Sequence, residues 1–497
     1  MVKRCLAVII SVSVSTKVFS LTHDNELSHT KDRVYKTSTV ITSYQKKILE
    51  SPILYMITDI TEIPQIEVRH YELFSQNWSP DDMVKPVQWR HNVNIYIPDL
   101  AKKERALVVI NNGINYANGM HTLSTPTDFS EETLASIARN TKTIVISVSN
   151  IPNQYLTYRN DEKELKEDDS VARSWALFMQ SPEQRKLLPL HIPMVASVSQ
   201  ALRLAKKELT QWNIKKFIVT GISKRGWTTW LAAIANPDVE GIIPFGIDIL
   251  NTDTALKHIY HSYGGNWPIT FYPYYQEAID KKIKSPQFHQ LLKIIDPLQY
   301  VNSLYKSRLA IPKYIVNASG DDFFVPDNTR FYYDNLPGRK SLRVVPNMDH
   351  YTIPQIAESA IVPFLRRYQN QQELPYISSS AYKNILTLHL SEKPVKIVRW
   401  TAINPVARDF RYACGIRYIP HVIDIPSDNL VNIILNTPAA GWEATYIEAT
   451  FNDGYVATTQ VYITPDGKYA QKAPPAVNTS CRTLPGRGLG ENEKQQQ

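Results

Sequence analysis

Three residues spaced along the chain have the types needed for acyl transfer by a serine. Ser223 follows a short β-branched run, Phe217–Thr220, and precedes a helical pattern that starts at Lys224, with Gly221 and Gly226 on either side of the turn. A strand, a sharp glycine-flanked turn and a helix together lift one hydroxyl above a sheet edge. A serine hydroxyl is a weak nucleophile, so it needs a base, a carboxylate to orient that base, and donors for the oxyanion. His350, after the strand-like Ser341–Val345, is the candidate base. The candidate acid lies in the loop Asn317–Pro326, where Asp321 and Asp322 compete because neighbouring side chains diverge; Asp248, after another strand, is a third choice. The order Ser, Asp, His fits a strand–turn–helix nucleophile.

The oxyanion donors should be the backbone N–H of Lys224 and one from the loop Asn111–Ile114, at Gly113 or Ile114, where Gly113 permits close approach of the backbone. The turn departs from the usual Gly-x-Ser-x-Gly spacing: Arg225 occupies the position of the second glycine and Gly226 comes one later. A bulky arginine there must turn outward or reshape the turn. Lys224 and Arg225 put two cations beside the serine, either to help an oxyanion or substrate carboxylate or simply as a solvated helix start. Aspartate in loops also serves as a cap, and a loop histidine is often only surface.

Elements able to hold these residues follow from periodicity. Glu67–Phe74 and His91–Ile97 alternate like half-exposed strands, and Ala106–Ile110, Thr143–Val148, Phe217–Thr220, Gly241–Gly246 and Tyr314–Ala318 are apolar runs suited to buried parallel strands. Helical patterns separate them. The expected fold is α/β, an α/β-hydrolase with a mostly parallel sheet and helices on both faces, plus a C-terminal β-sandwich-like domain. The expected boundaries are a signal peptide over 1–20, a polar segment over 21–65 and the α/β domain over 66–370. Insertions fall near 150–191 and 251–312, a separate β-sandwich-like domain covers 371–465, and a Pro-, Gly- and Gln-rich disordered tail covers 466–497.

Composition narrows the function. The chain has 497 residues, 43% hydrophobic and 21% charged, which is globular with room for a large core. The formal net charge is +8, but the basic residues are scattered in pairs, so no nucleic-acid partner is expected; a weak attraction to an anionic envelope surface is compatible. Met1–Ser20 has two early basic residues, a short apolar run and a small-residue site, the pattern of an export signal, and implies a periplasmic or secreted protein. Of three cysteines, Cys5 lies in that signal, and an oxidising compartment would allow Cys414 and Cys481 to pair. No Cys/His spacing suits a metal, and no cofactor is implied.

Beyond the single motif, the chain resembles the PhoPQ-activated pathogenicity-related protein family from about Tyr71 to Thr464. The resemblance is carried by Ser75–Trp78, Ile110–Asn115, Ile192–Met194, Gly221–Trp230, Asp248–Asn251, Tyr263–Gly264, Gly320–Asp327, Pro346–His350, Trp400–Arg411 and Gly441–Trp442. It implies an exported α/β-hydrolase-like protein linked to envelope stress or virulence. It favours Asp321 over Asp322 as the acid, because the family pattern keeps an aspartate directly after the glycine. Asn112 stands where that pattern has glycine. Ser-x-x-Gly elbows with a basic residue after the serine also occur in glucuronoyl-esterase-like hydrolases. The resulting expectation is a serine hydrolase acting on a small-molecule, peptide or glycan ester or amide. The alternative is a non-catalytic binding or signalling protein on the same scaffold. Oligomeric state is left open.

Overall fold

The computed structural model of the chain describes residues 36–117, 120–121, 124–159 and 161–490. The expected signal peptide, residues 21–35 and residues 491–497 lie outside them. Nine strands form the central sheet: β1 (Leu54–Ile63), β2 (Ile66–Asn77), β3 (Gln88–Pro98), β4 (Arg105–Ile110), β5 (Ile144–Val148), β6 (Lys216–Ile222), β7 (Val239–Phe245), β8 (Lys313–Ala318) and β9 (Lys340–Val345). Their order is β1-β2-β3-β5-β4-β6-β7-β8-β9. The pairs from β1 to β5 along this order are antiparallel, and every later pair is parallel. As the apolar runs require, β5 and β8 are buried along their whole length, whereas β2 alternates. The fold is that of the α/β-hydrolases.

Eight longer helices accompany the sheet: α1 (Val40–Glu50), α2 (Glu131–Thr141), α3 (Glu167–Gln180), α4 (His191–Glu208), α5 (Lys224–Ala235), α6 (Thr252–Ser262), α7 (Pro286–Ile295) and α8 (Ala357–Gln369). α2 and α8 share a core with alternate strand residues such as Leu107, Val109, Val145, Ile218 and Ile243. α4 packs between α1 and α5 and belongs to the other face. Ser130 caps α2 by accepting from the Thr133 N–H, with Glu131 and Glu132 in the first turn where the helix dipole favours them. Among the described residues no helix is long and apolar enough to cross a membrane.

Two boundaries need correction. The polar segment is ordered from Lys36: α1 buries Val40, Ile41 and Tyr44, and β1 pairs along β2 as an edge strand. A one-sided apolar stripe in a polar sequence was enough once α4 supplied its partner. The tail is not disordered as far as residue 490. A Cys414–Cys481 disulfide ties it down, Thr483–Leu484 pairs with Trp267–Pro268, and Arg487 bonds Asp280 at 2.6 Å. Side-chain anchors and a crosslink compensate for a composition that cannot bury much apolar surface.

The expected β-rich region is present within its bounds, but it packs onto the α/β domain as one unit with it. It holds β10 (Ile377–Tyr382), β11 (Ile385–Leu390), β12 (Lys396–Asn404), β13 (Ile419–Ile423), β14 (Leu430–Ile434), β15 (Trp442–Thr450), β16 (Val456–Thr458) and β17 (Tyr462–Thr464). One sheet runs β10-β11-β14, the other β13-β12-β15-β16 with β17 also on β15. Leu386, Leu388, Val431, Ile433, Ile397 and Ile447 pack into the same core as Tyr314 of β8 and Phe364 of α8. The Tyr314 Oη donates to the Val456 carbonyl at 2.5 Å, and the Val344 N–H donates to Thr458 Oγ1 at 3.0 Å.

A buried charge set locks this region to the α/β domain. Arg408 Nη2 donates to Asp327 Oδ2 at 2.6 Å, and His258 Nε2 lies 2.9 Å from Asp327 Oδ1. Burial works to raise the Asp327 pKa, but Arg408 and His258 outweigh it and hold the carboxyl far below its usual range. Removing one partner of such a set strands a charge in a low dielectric. Arg408→Ala should therefore destabilise the intact chain by about 3–5 kcal/mol, read from urea unfolding.

Candidate active site

Ser223 stands at the junction of β6 and α5 with φ 58° and ψ −125°, a left-handed conformation that a non-glycine residue adopts only under constraint. Its N–H donates to the Phe245 carbonyl at 2.9 Å, and its own carbonyl accepts the first helical bond from Trp227 at 2.9 Å. Both flanking glycines are required by close approach. A Cβ on Gly221 would lie 2.6 Å from the Arg225 carbonyl oxygen, and one on Gly226 would lie 2.8 Å from the Phe245 oxygen on β7. Gly226, one place later than usual, is what lets α5 press onto β7.

His350 follows β9 and is buried. Its Nδ1 donates to Asp321 Oδ2 at 2.9 Å, and Asp321 Oδ1 accepts from the backbone N–H of Phe323 at 2.7 Å and of Phe324 at 3.2 Å. Burial works to lower the His350 pKa, but the Asp321 carboxylate outweighs it, and the net shift is upward from 6.5. Asp322 does not reach His350 by a hydrogen bond, and its Oδ1 has no partner among the described residues. Burial, then the neighbouring Asp321 and Asp349, push its carboxyl up to about 7. Asp248 is also apart: it is buried, burial lifts its pKa well above the usual carboxylate range, and its carbonyl accepts from Asn328.

Ser223 and His350 line one cleft of about 680 Å³ together with Gly113 and Lys224. Among the described residues neither Ser223 Oγ nor His350 Nε2 makes a hydrogen bond, with each other or with a third group; they share the cleft. The loop after β4 is pinned by its own asparagines. Asn111 Oδ1 accepts from the Phe129 N–H at 3.2 Å, and Asn112 Oδ1 accepts from the Thr127 N–H at 2.7 Å. Asn112, in the place of an expected glycine, thus serves as a side-chain brace. Gly113 has φ 132°, and a Cβ there would fall 2.3 Å from Asn150 Oδ1. The Ile114 N–H is given to Ser124 Oγ at 2.7 Å, which removes it as an oxyanion donor. The N–H groups of Gly113 and Lys224 have no acceptor among the described residues.

Arg225 neither turns outward nor distorts the turn. It points inward, with Nε donating to the Ile151 carbonyl at 2.6 Å, Nη1 to Asp128 Oδ2 at 3.1 Å, and Nη2 to Glu167. Lys224 Nζ lies 2.7 Å from Glu167 Oε2 and 3.1 Å from Asp168 Oδ2. Burial works against the Lys224 charge, but Asp168 and Glu167 outweigh it and raise the pKa. The two cations are therefore neither solvated nor free. Glu167, Asp168 and Asp128 were missed as site residues; for Glu167 and Asp168 the signal was the charge-rich run Asn160–Asp169 inside the insertion expected near 150–191, and Asp128 had none.

The model of the PhoPQ-activated pathogenicity-related protein family matches residues 41–411. The chain belongs to this family. It is 28% identical over 406 residues to Autocrine proliferation repressor protein A from Dictyostelium discoideum, covering 76% of this chain and 79% of that protein. Among solved structures it is similar to the acetyl xylan esterase from Paenibacillus sp. R4, with a TM-score of 0.45 and 12% identity over 66% of this chain and 93% of the other. It is also similar to Acetyl Xylan Esterase 1 from Thermoanaerobacterium sp. JW/SL YS485, with a TM-score of 0.43 and 12% identity over 66% of this chain and 92% of the other. The family match ends at Arg411, which bonds Asp409 at 2.7 Å and donates to the Cys481 carbonyl at 2.9 Å.

Asp322 gives a stability test. Its folded-state pKa is raised, so folding favours the protonated carboxyl; that contribution is full at low pH and is lost as pH rises through about 7. Asp322→Asn should gain thermal stability relative to the parent between pH 5 and pH 8, with the larger gain at pH 8, in paired melting curves.

Proposed function

We propose that this protein is a serine hydrolase that cleaves an ester through an acyl-enzyme. The observation that carries this reading is the His350–Asp321 hydrogen bond of 2.9 Å opening onto the same cleft as the strained Ser223. With the Nδ1 proton directed at Asp321, Nε2 is the basic nitrogen facing the cleft. Ser223 Oγ bonds to the carbonyl carbon as its proton passes to His350 Nε2, and the carbonyl π electrons move to oxygen. The N–H groups of Gly113 and Lys224 stabilise that oxyanion. When the carbonyl reforms, the C–O bond to the alcohol breaks and His350 returns the proton to the leaving oxygen. Water, deprotonated by the same imidazole, then attacks the acyl-enzyme and releases the acid and Ser223.

Two features that favoured a non-catalytic role lose their force. Arg225 is internally paired, and Asn112 braces the oxyanion loop while leaving the Gly113 N–H open. Action outside the cytoplasm is part of the proposal, supported by the signal-like Met1–Ser20 and by the Cys414–Cys481 disulfide, which suits an oxidising compartment.

A fluorophosphonate probe should label the folded protein at Ser223, and Ser223→Ala should abolish labelling and lower kcat by about 10³-fold or more. Labelling that persists in Ser223→Ala would overturn the proposal. The base must be unprotonated, so kcat/KM should rise with pH with a midpoint above 6.5, the side to which His350 is shifted. Asp321→Asn removes the group that raises this pKa. It should move the midpoint down and slow turnover roughly 10⁴-fold, measured as a pH–rate profile.

A further inference from the structure

Two hollows meet at Ser223, and their chemistry differs. The cleft described above holds Gly113, His350 and polar groups such as Thr125, Thr127 and Gln154. The second hollow, with a volume of about 50 Å³, is walled by Trp175, Trp227, Trp267, Phe271, Tyr274 and Phe323, with Leu256 also on its lining. Ser223, Lys224, Asp168 and Phe323 border both, whereas His350 and Gly113 border only the cleft.

The charged groups at the aromatic hollow are already neutralised. Asp168 accepts from Tyr274 Oη at 2.9 Å and pairs with Lys224 at 3.1 Å, and Asp280 pairs with Arg487 at 2.6 Å. The indole N–H groups of Trp175 and Trp267 are buried without an acceptor among the described residues. Such a site rewards an uncharged, flat, apolar group: ring edges and faces pack against it, and no ion needs to be desolvated.

Stereochemistry assigns the two halves of the ester. The attacked carbon carries Ser223 Oγ, the oxyanion, the leaving oxygen and the acyl substituent. The oxyanion must face the Gly113 and Lys224 N–H groups, and the leaving oxygen must come within reach of His350 Nε2 to receive its proton. Both requirements point into the cleft, so the acyl substituent is left with the aromatic hollow. Resting on the serine-hydrolase reading, we propose that the substrate is an ester of an uncharged, ring-bearing carboxylic acid with a polar alcohol, the ring seated among Trp175, Trp267 and Phe271 and the alcohol in the cleft.

The isomers methyl 3-phenylpropanoate and 2-phenylethyl acetate carry the same ring on opposite sides of the ester. Hydrolysis by the full chain is followed in a pH-stat, with fluorophosphonate labelling of Ser223 run alongside. The phenylpropanoate should be preferred by about ten-fold or more in kcat/KM. Leu256→Trp, which fills the hollow, should reduce the phenylpropanoate rate at least about ten-fold more than the rate on methyl acetate. Equal or reversed rates on the two isomers with Ser223 labelled would overturn the assignment, as would a Leu256→Trp variant that slows every ester alike. Absence of both labelling and turnover would instead remove the serine-hydrolase reading and this assignment with it.

Discussion

The guanidinium of Arg225 is the fixed point around which the cleft is drawn. It ties the loop after β5 through Ile151, the approach to α2 through Asp128, and the first turn of α3 through Glu167. Lys224 uses the same Glu167 and adds Asp168. Withdrawing two cations from water is costly, and only close, well-directed carboxylates offset it. Two of those carboxylates, Glu167 and Asp168, sit where the α3 dipole favours negative charge. The set adds less to stability than to geometry, because any outward movement of these loops would strand a charge. It also consumes the positive charge beside Ser223.

The β-rich region has a related task. Its Tyr412 N–H donates to the Gly320 carbonyl at 3.0 Å, directly before Asp321. Its Tyr418 exchanges hydrogen bonds of 2.7 and 2.9 Å with Asn347, three residues before His350. Arg408 holds Asp327 at the far end of the acid loop. The loops bearing Asp321 and His350 are thus braced from outside the central sheet. A second layer of support of this kind keeps a catalytic constellation within the narrow tolerance that proton transfer demands.

Much of this was legible in the sequence. Buried parallel strands write themselves as continuous β-branched runs, and the elbow writes itself in Gly221, Ser223 and Gly226, so the sheet and the order of Ser223, a loop aspartate and His350 could be read directly. What could not be read depends on contacts distant in sequence. Asp321 rather than Asp322 faces His350 because the chain at Gly320 is pressed against Tyr412; a Cβ there would lie 2.7 Å from its nitrogen. The direction of Arg225 depends on Asp128 and Glu167, and the loss of Ile114 as a donor depends on Ser124. α1 and the C-terminal strap were missed for one reason: their polar compositions hide the few anchors that hold them.

That strap joins the site to the far end of the chain. Trp267, a wall of the aromatic hollow, pairs through its backbone with Leu484, which is synthesised far later, and Cys481 beside it must find Cys414. Ser223, Asp321 and His350 all precede Leu484 and Cys481 in the chain. Part of the hollow's wall is thus fastened by the far end of the chain, while Ser223, Asp321 and His350 are carried by the ends of central strands.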